Sequence, residues 1–189
     1  MTTETIISIC LGIGLSASVG FRIFLPLFAL SLANYLNVWE LNESWQWIGS
    51  TSALILFGVA TIIEIIAYYI PLVDNVLDSI AIPLATIAGT LVMVSTISEL
   101  SPVFTWTLAI IAGGGTASAI KGTSSASRLT STVSTAGFGN NILASIENII
   151  ALIMSVIAIV FPILAAILVL LILYVIFKLY KKIRKRSKN

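Results

Sequence analysis

The sequence has no histidine and one cysteine, Cys10. Without histidine, Ser-His and Cys-His catalysis, His-ligated haem and most zinc sites are excluded. A single cysteine cannot form an intrachain disulfide. Charge is scarce as well. Asp, Glu, Lys and Arg make up 10% of the 189 residues, against about a quarter in a soluble domain. Hydrophobic residues make up 58%, and the mean hydropathy is +1.09. A water-soluble globule of this size could not cover that much apolar surface with so few charges. An ordinary cytosolic enzyme, a disordered chain and a nucleic-acid binder are therefore excluded, and lipid must solvate much of the surface. The opening Met1-Thr-Thr-Glu4 has none of the Lys or Arg of a secretory signal, and bulky Ile9 before Cys10 argues against lipoprotein processing. The first apolar stretch reads as a retained span.

What charge there is lies unevenly. Seven of the ten basic residues fall in 178–188, leaving the body with Arg22, Lys121 and Arg128 against eight acids, a net of −5. By the positive-inside rule residues 178–189 form a basic cytoplasmic tail on a single transmembrane domain, 1–177.

Residues 5–36 are apolar but for Arg22, and as one helix would run ~48 Å against a hydrocarbon core of ~30 Å. A tilt, an extension into the interface or a break near Gly20-Phe21-Arg22…Pro26 is expected. Asn37–Trp47 carries Glu40, Glu43 and three tryptophans with no basic residue, the pattern of a non-cytoplasmic loop. Further spans are expected at 49–70, 80–98 and 103–120. Residues 121–141 are polar with small side chains. Residues 142–180 would run ~58 Å as one helix, so two spans folding back at Phe161-Pro162 are expected. The fold class is all-α, a polytopic transmembrane bundle of about six spans, with five as the alternative. Six would put both termini in the cytoplasm.

Gly14-Leu-Ser-Ala-Ser18 resembles Gly114-Gly-Thr-Ala-Ser118 at an offset of 100, each followed by a cation, Arg22 or Lys121. Glu64-Ile-Ile and Glu147-Asn-Ile-Ile come next. Residues 5–98 and 103–177 are thus candidate halves of a 3+3 inverted repeat with interrupted helices near Pro26 and Gly113. Chance similarity between membrane helices rich in small residues is the plain alternative.

The order of motifs is also similar to a known family. Gly14-Leu-Ser-Ala-Ser-Val-Gly-Phe-Arg-Ile-Phe-Leu-Pro26, then Glu64 with Pro71-Leu-Val-Asp-Asn-Val-Leu-Asp78, then Gly113-Gly-Gly…Lys121…Arg128 follow one another. Thr135-Ala-Gly-Phe-Gly-Asn140…Ser145-Ile-Glu147 completes the set. Over residues 8–165 the chain resembles the bacterial membrane family known as domain of unknown function 4126. Look-alikes often have Asn-Pro at Asn140-Asn141 and Glu-Asp at Glu147-Asn148, so one carboxylate is missing here. The resemblance implies a polytopic protein of the bacterial inner membrane and implies no activity.

Several residues are placed where lipid makes charge costly. Arg22 reads as an anion clamp, or as a structural cation paired to a carboxylate such as Glu64 or snorkelling to headgroups. Glu64, flanked by four isoleucines, reads as a proton- or cation-coupling acid, or as the partner of Arg22. Glu147, one turn inside its span, reads as a structural or interfacial residue, or as the proton-carrying acid in place of Glu64. At helical spacing Lys121, Ser125, Arg128, Thr132 and Thr135 form one stripe, suited to a phosphate-bearing headgroup or another anion. Tight helix packing and a solvated loop are the plain alternatives for that run. Asp74 and Asp78 share a helix face and read as partners for Lys121 or Arg128, as caps, or as weak hard-cation ligands. The Gly113–Gly115 triplet fits no nucleotide loop.

The expected function is a small permease or flippase for an anionic or lipid-phosphate solute. The alternatives are an ion channel and a non-transporting scaffold or assembly subunit. No enzyme activity, metal or cofactor is expected, Ser118, Lys121 and Ser125 being the only nucleophile–base grouping. Expected partners are the bilayer, anionic lipid or a small anionic solute, and further copies of the chain, but no nucleic acid.

Overall fold

Pro26 and a distant carboxylate decide how the first apolar stretch folds. The computed structural model describes residues 2–135 and 137–186, and every regular element among them is helical. Helix α1 (Thr3–Phe21) stops at Arg22, whose backbone is extended, and α2 (Phe24–Tyr35) starts two residues later. Pro26 sits in the first turn of α2, where its missing N–H costs nothing. No side chain of its own caps α2. Glu64 of α3 (Thr51–Ala67) does so instead, accepting from the N–H groups of Ile23 (2.8 Å) and Phe24 (2.9 Å). The carboxylate satisfies two otherwise unpaired amides and meets the positive end of the helix dipole.

A short 3-10 turn, Glu43–Gly49, leads into α3. Then follow α4 (Pro71–Thr96), α5 (Pro102–Leu108), a π-helical turn (Ala109–Gly114), α6 (Gly115–Thr135), α7 (Phe138–Val160) and α8 (Pro162–Arg186). Five helices are long and apolar enough to cross a bilayer, or six if Glu43–Gly49 and α3, bent by 62°, count as one span. The expected polytopic bundle is present, with breaks at Arg22 and at Phe161-Pro162. Two boundaries differ. Pro71–Asp78 is the opening of α4, with Pro83 inside the helix. The polar run continues α6 to Thr135, because Lys121, Ser124 and Arg128 are buried against other helices. The described part of the basic tail continues α8 to Arg186.

α1 is the central helix, packed on α4, α6, α7 and α8. Small residues let the backbones approach. A Cβ on Gly14 would lie 2.8 Å from the Cβ atoms of both Ala158 and Ala165. One on Gly113 would lie 2.6 Å from the carbonyl oxygen of Gly89, which explains a glycine in the π-helical turn. Buried hydroxyls tie the same contacts: Ser16 donates to the Gly89 carbonyl (2.9 Å) and Ser18 to that of Ala151 (2.7 Å).

The bundle has two electrically distinct ends. At one, Thr2 and Thr5 donate to Glu99 (2.6 and 3.1 Å), and Asn42 donates its N–H to the Ser95 carbonyl (3.1 Å). Trp39 reaches the Ile159 carbonyl (2.9 Å) at the same end. Glu4, Glu40 and Glu99 line a cavity of about 480 Å³ there. At the other end lie Arg22, Lys121, Arg128 and the last turns of α8. α1 therefore begins at the acidic end, while α8 runs from Pro162 at the acidic end to the basic one.

Two expectations are corrected by this arrangement. The described ends of the chain lie at opposite ends of the bundle, because the 12-residue α2 folds back at the break instead of extending α1. The motif-bearing helices are not inverted either. Gly20 of α1 packs on Ile120 and Ala117 of α6, and Gly12 and Gly113 both pack on Met93, so α1 and α5–α6 run in the same direction at matched levels. In a Cys10→Ser background, Thr2→Cys and Lys182→Cys should react with a membrane-impermeant maleimide from opposite faces of the membrane. Labelling of both from the same face would contradict the fold-back.

Candidate functional site

The three largest fully buried side chains among the described residues are Arg22, Arg128 and Lys121. They are also the three cations of the body. Each buried charge in such a setting costs several kcal/mol unless paired, and all three meet carboxylates in one cluster.

Glu147, on the first turns of α7, holds the centre. Arg22 Nη1 donates to its Oε2 (2.8 Å), as does Arg128 Nη2 (2.6 Å). Arg128 Nε lies 3.1 and 3.2 Å from the two carboxylate oxygens, and Ser124 donates to Oε1. Arg22 is fixed further by Asn148 Oδ1 (2.5 Å from Nε) and the Ala144 carbonyl (3.1 Å from Nη2). On the α4 side, Arg128 lies 3.7 Å from Asp74 and 3.8 Å from Asp78, and Lys121 Nζ lies 3.5 Å from Asp78. Three cations thus face three carboxylates.

Tyr68, which ends α3, fills the space between them. Its ring centroid is 4.0 Å from the Arg22 guanidinium carbon, 4.7 Å from that of Arg128 and 4.9 Å from Lys121 Nζ. The ring offers its negative face to all three. Its hydroxyl accepts from Lys121 (2.9 Å) and donates to Asp78 (3.5 Å). Asn140 closes the cluster, donating to Asp74 (3.2 Å) and Thr132 (2.9 Å).

Of the residues singled out in the sequence, Arg22, Lys121, Arg128, Glu147, Asp74 and Asp78 come together here. Thr132 joins through Asn140. Ser125 lies half-buried on the same helix, and Thr135 is exposed. Glu64 stands apart in role: Arg22 pairs with Glu147, and both oxygens of Glu64 are used on α2. Tyr68, Ser124, Asn140 and Asn148 were not foreseen as site residues. A tyrosine ending a span reads as an interfacial anchor, so only its i+4 spacing from Glu64 hinted at an inward position.

Four atoms of this region are buried without a hydrogen-bond partner among the described residues: Arg128 Nη1, Ser125 Oγ, Asp74 Oδ1 and Asn140 Oδ1. The first two can donate and the last two can only accept. Among the described residues no group of three or more Asp, Glu or Cys is arranged to hold a metal ion.

A family model described as a domain of unknown function, DUF4126, matches residues 9–182. The chain belongs to the DUF4126 family. The match takes in every residue of the cluster, from Arg22 to Asn148, and extends into α8 as far as Lys182, beyond the stretch whose motifs carry the resemblance. No curated protein and no solved structure matches the chain. For this DUF4126 chain the site must therefore be read from its own geometry.

Glu147→Gln removes the carboxylate shared by two buried guanidinium groups, and about 3–5 kcal/mol of stability should be lost. The melting temperature of the detergent-solubilised protein measures this. Asn148→Asp places a carboxylate beside Arg22 Nε and should melt no lower than wild type. A Glu147→Gln variant melting with wild type would contradict the assignment of Glu147 as the central counter-charge.

Proposed function

We propose that this protein is a small carrier for an oxyanion, with phosphate-type groups as the best match, in the bacterial inner membrane. The basic end faces the cytoplasm by the positive-inside rule, and the acidic end faces outward. The observation that carries the reading is the meeting of all three body cations in one buried cluster, where Arg128 Nη1 lies 3.7 Å from Asp74 Oδ2 and makes no hydrogen bond.

The chemistry follows from charge balance. Three cations and three carboxylates are neutral together, and one added anion would unbalance them in a medium where bare charge is costly. A proton arriving with the anion restores neutrality. Glu147 is the acid to take it, since it already occupies the guanidinium groups an anion would seek. Protonated, it releases them. Glu64 is unsuited to this task because both its oxygens hold α2 in place. A ligand that both accepts and donates, such as a protonated oxyanion, would also serve the unused groups of Arg128, Ser125, Asp74 and Asn140.

Proteoliposomes test the proposal. Labelled phosphate and short organic phosphates should enter saturably and faster with an inward proton gradient. Glu147→Gln should keep exchange of anion across the membrane while losing the response to the gradient. Folded protein that moves no anion under either condition would overturn the reading. The complete pairing of the cations also suits a non-transporting scaffold. A Lys121→Asp/Asp78→Lys exchange that restores cellular function lost in each single variant would favour the scaffold. Discrete single-channel conductance would favour a channel.

A further inference from the structure

The source of the anion is suggested by a groove on the lipid-facing side of the cluster. α8 rests on α1 and α7 and barely touches α6, so a cavity of about 470 Å³ remains between α6, α7 and α8. That volume lies within the ~300–1,000 Å³ of ligand pockets. Two of its walls are aliphatic: Ile146 and Ile150 on α7, and Leu171, Val175 and Leu179 on α8. The third wall, on α6, is formed by Ile120, Thr123, Ser124 and Ser127, whose hydroxyls already donate to the Ala119 carbonyl, to Glu147 and to the Thr123 carbonyl. Glu147 also lines the groove. The groove therefore runs from hydrocarbon to the central carboxylate of the site.

Its charge is graded along one helix face. Leu171, Val175 and Leu179 are four residues apart, and Lys182 follows Leu179 by three, so all four share a stripe. Lys182 is exposed about one turn beyond the last apolar wall residue. An occupant seated against that stripe has an apolar chain beside α8 and a negative group near Lys182. A soluble anion would gain nothing from the aliphatic walls. An uncharged amphiphile would gain nothing from the lysine.

We infer that the groove between α6, α7 and α8 binds a phosphate-bearing lipid, its acyl chain against Val175 and Leu179 and its headgroup at Lys182, beyond the apolar end of the groove. This rests on the oxyanion reading for the headgroup, and it makes the lateral groove the path by which that headgroup meets Arg128 and Glu147. The carrier then acts on an amphiphile drawn from the bilayer.

Native mass spectrometry of the full chain tests this with an equimolar mixture of dioleoyl phosphatidic acid and dioleoyl phosphatidylcholine. Wild type should retain phosphatidic acid preferentially. Val175→Trp and Ser127→Trp fill the groove from opposite walls, and each should abolish retention. Leu56→Trp, on the exposed face of α3, should leave it unchanged. Lys182→Gln should lose about fivefold of the headgroup preference while chain binding persists, and Lys182→Arg should keep it. Equal retention of the two lipids by wild type would overturn the proposal. So would retention by both tryptophan variants at the wild-type level, or an unaltered preference in Lys182→Gln. Phosphate flux without phosphatidic acid binding would sink this inference and leave the carrier standing. Phosphatidic acid held in the groove without flux of any anion would do the reverse.

Discussion

The sharing of Glu147 between Arg22 and Arg128 is the contact on which the basic end of the bundle depends. Each guanidinium is buried at the end of or within a helix packed inside the bundle. Neither could stay there unpaired at a cost the fold would bear. One carboxylate serves both, and in doing so fixes the C-terminus of α1 and the middle of α6 against the first turns of α7. Asp74 and Asp78 then bring α4 to the other side of Arg128 and Lys121. Tyr68 brings the end of α3. Five helices are thus oriented by charge at this end and by small-residue packing elsewhere.

The break between α1 and α2 is what lets Arg22 reach this place. A continuous helix would carry its residues onward past the cluster. Pro26 favours a new helix start, and Glu64 makes that start stable by taking its free amides. The same acid that looked like a partner for Arg22 is therefore one step removed from it. It positions the arginine by holding the chain that follows.

Much of this architecture was legible in the sequence. Hydrophobic runs and Pro26, Pro102 and Pro162 mark helix starts through local physics, and the structure follows them closely. The candidate charges were legible for a similar reason, since any ion within an apolar run needs an explanation. Direction and partnership were not. Nothing local tells whether residues 24–35 continue forward or fold back, and that single choice moves the start of the chain to the opposite end. Local spacing likewise cannot choose between Glu64 and Glu147 for Arg22, because both are single carboxylates in isoleucine-rich helices. The offset-100 similarity was real at the level of residues. It reflects two parallel helices, each packed closely on α4 through small residues, rather than an inverted pair. Tyr68 was invisible because its chemistry here comes from three cations contributed by distant parts of the chain.

The central claim is that Arg22 and Arg128 are coupled through one carboxylate. A double-mutant cycle measures that directly. Arg22→Met and Arg128→Met are made singly and together, in the wild-type and Glu147→Gln backgrounds, and the unfolding free energy of the solubilised protein is followed. With Glu147 present the two losses should be non-additive by about 0.5–3 kcal/mol, and with Glu147→Gln the coupling should vanish. Additive losses in both backgrounds would contradict the account.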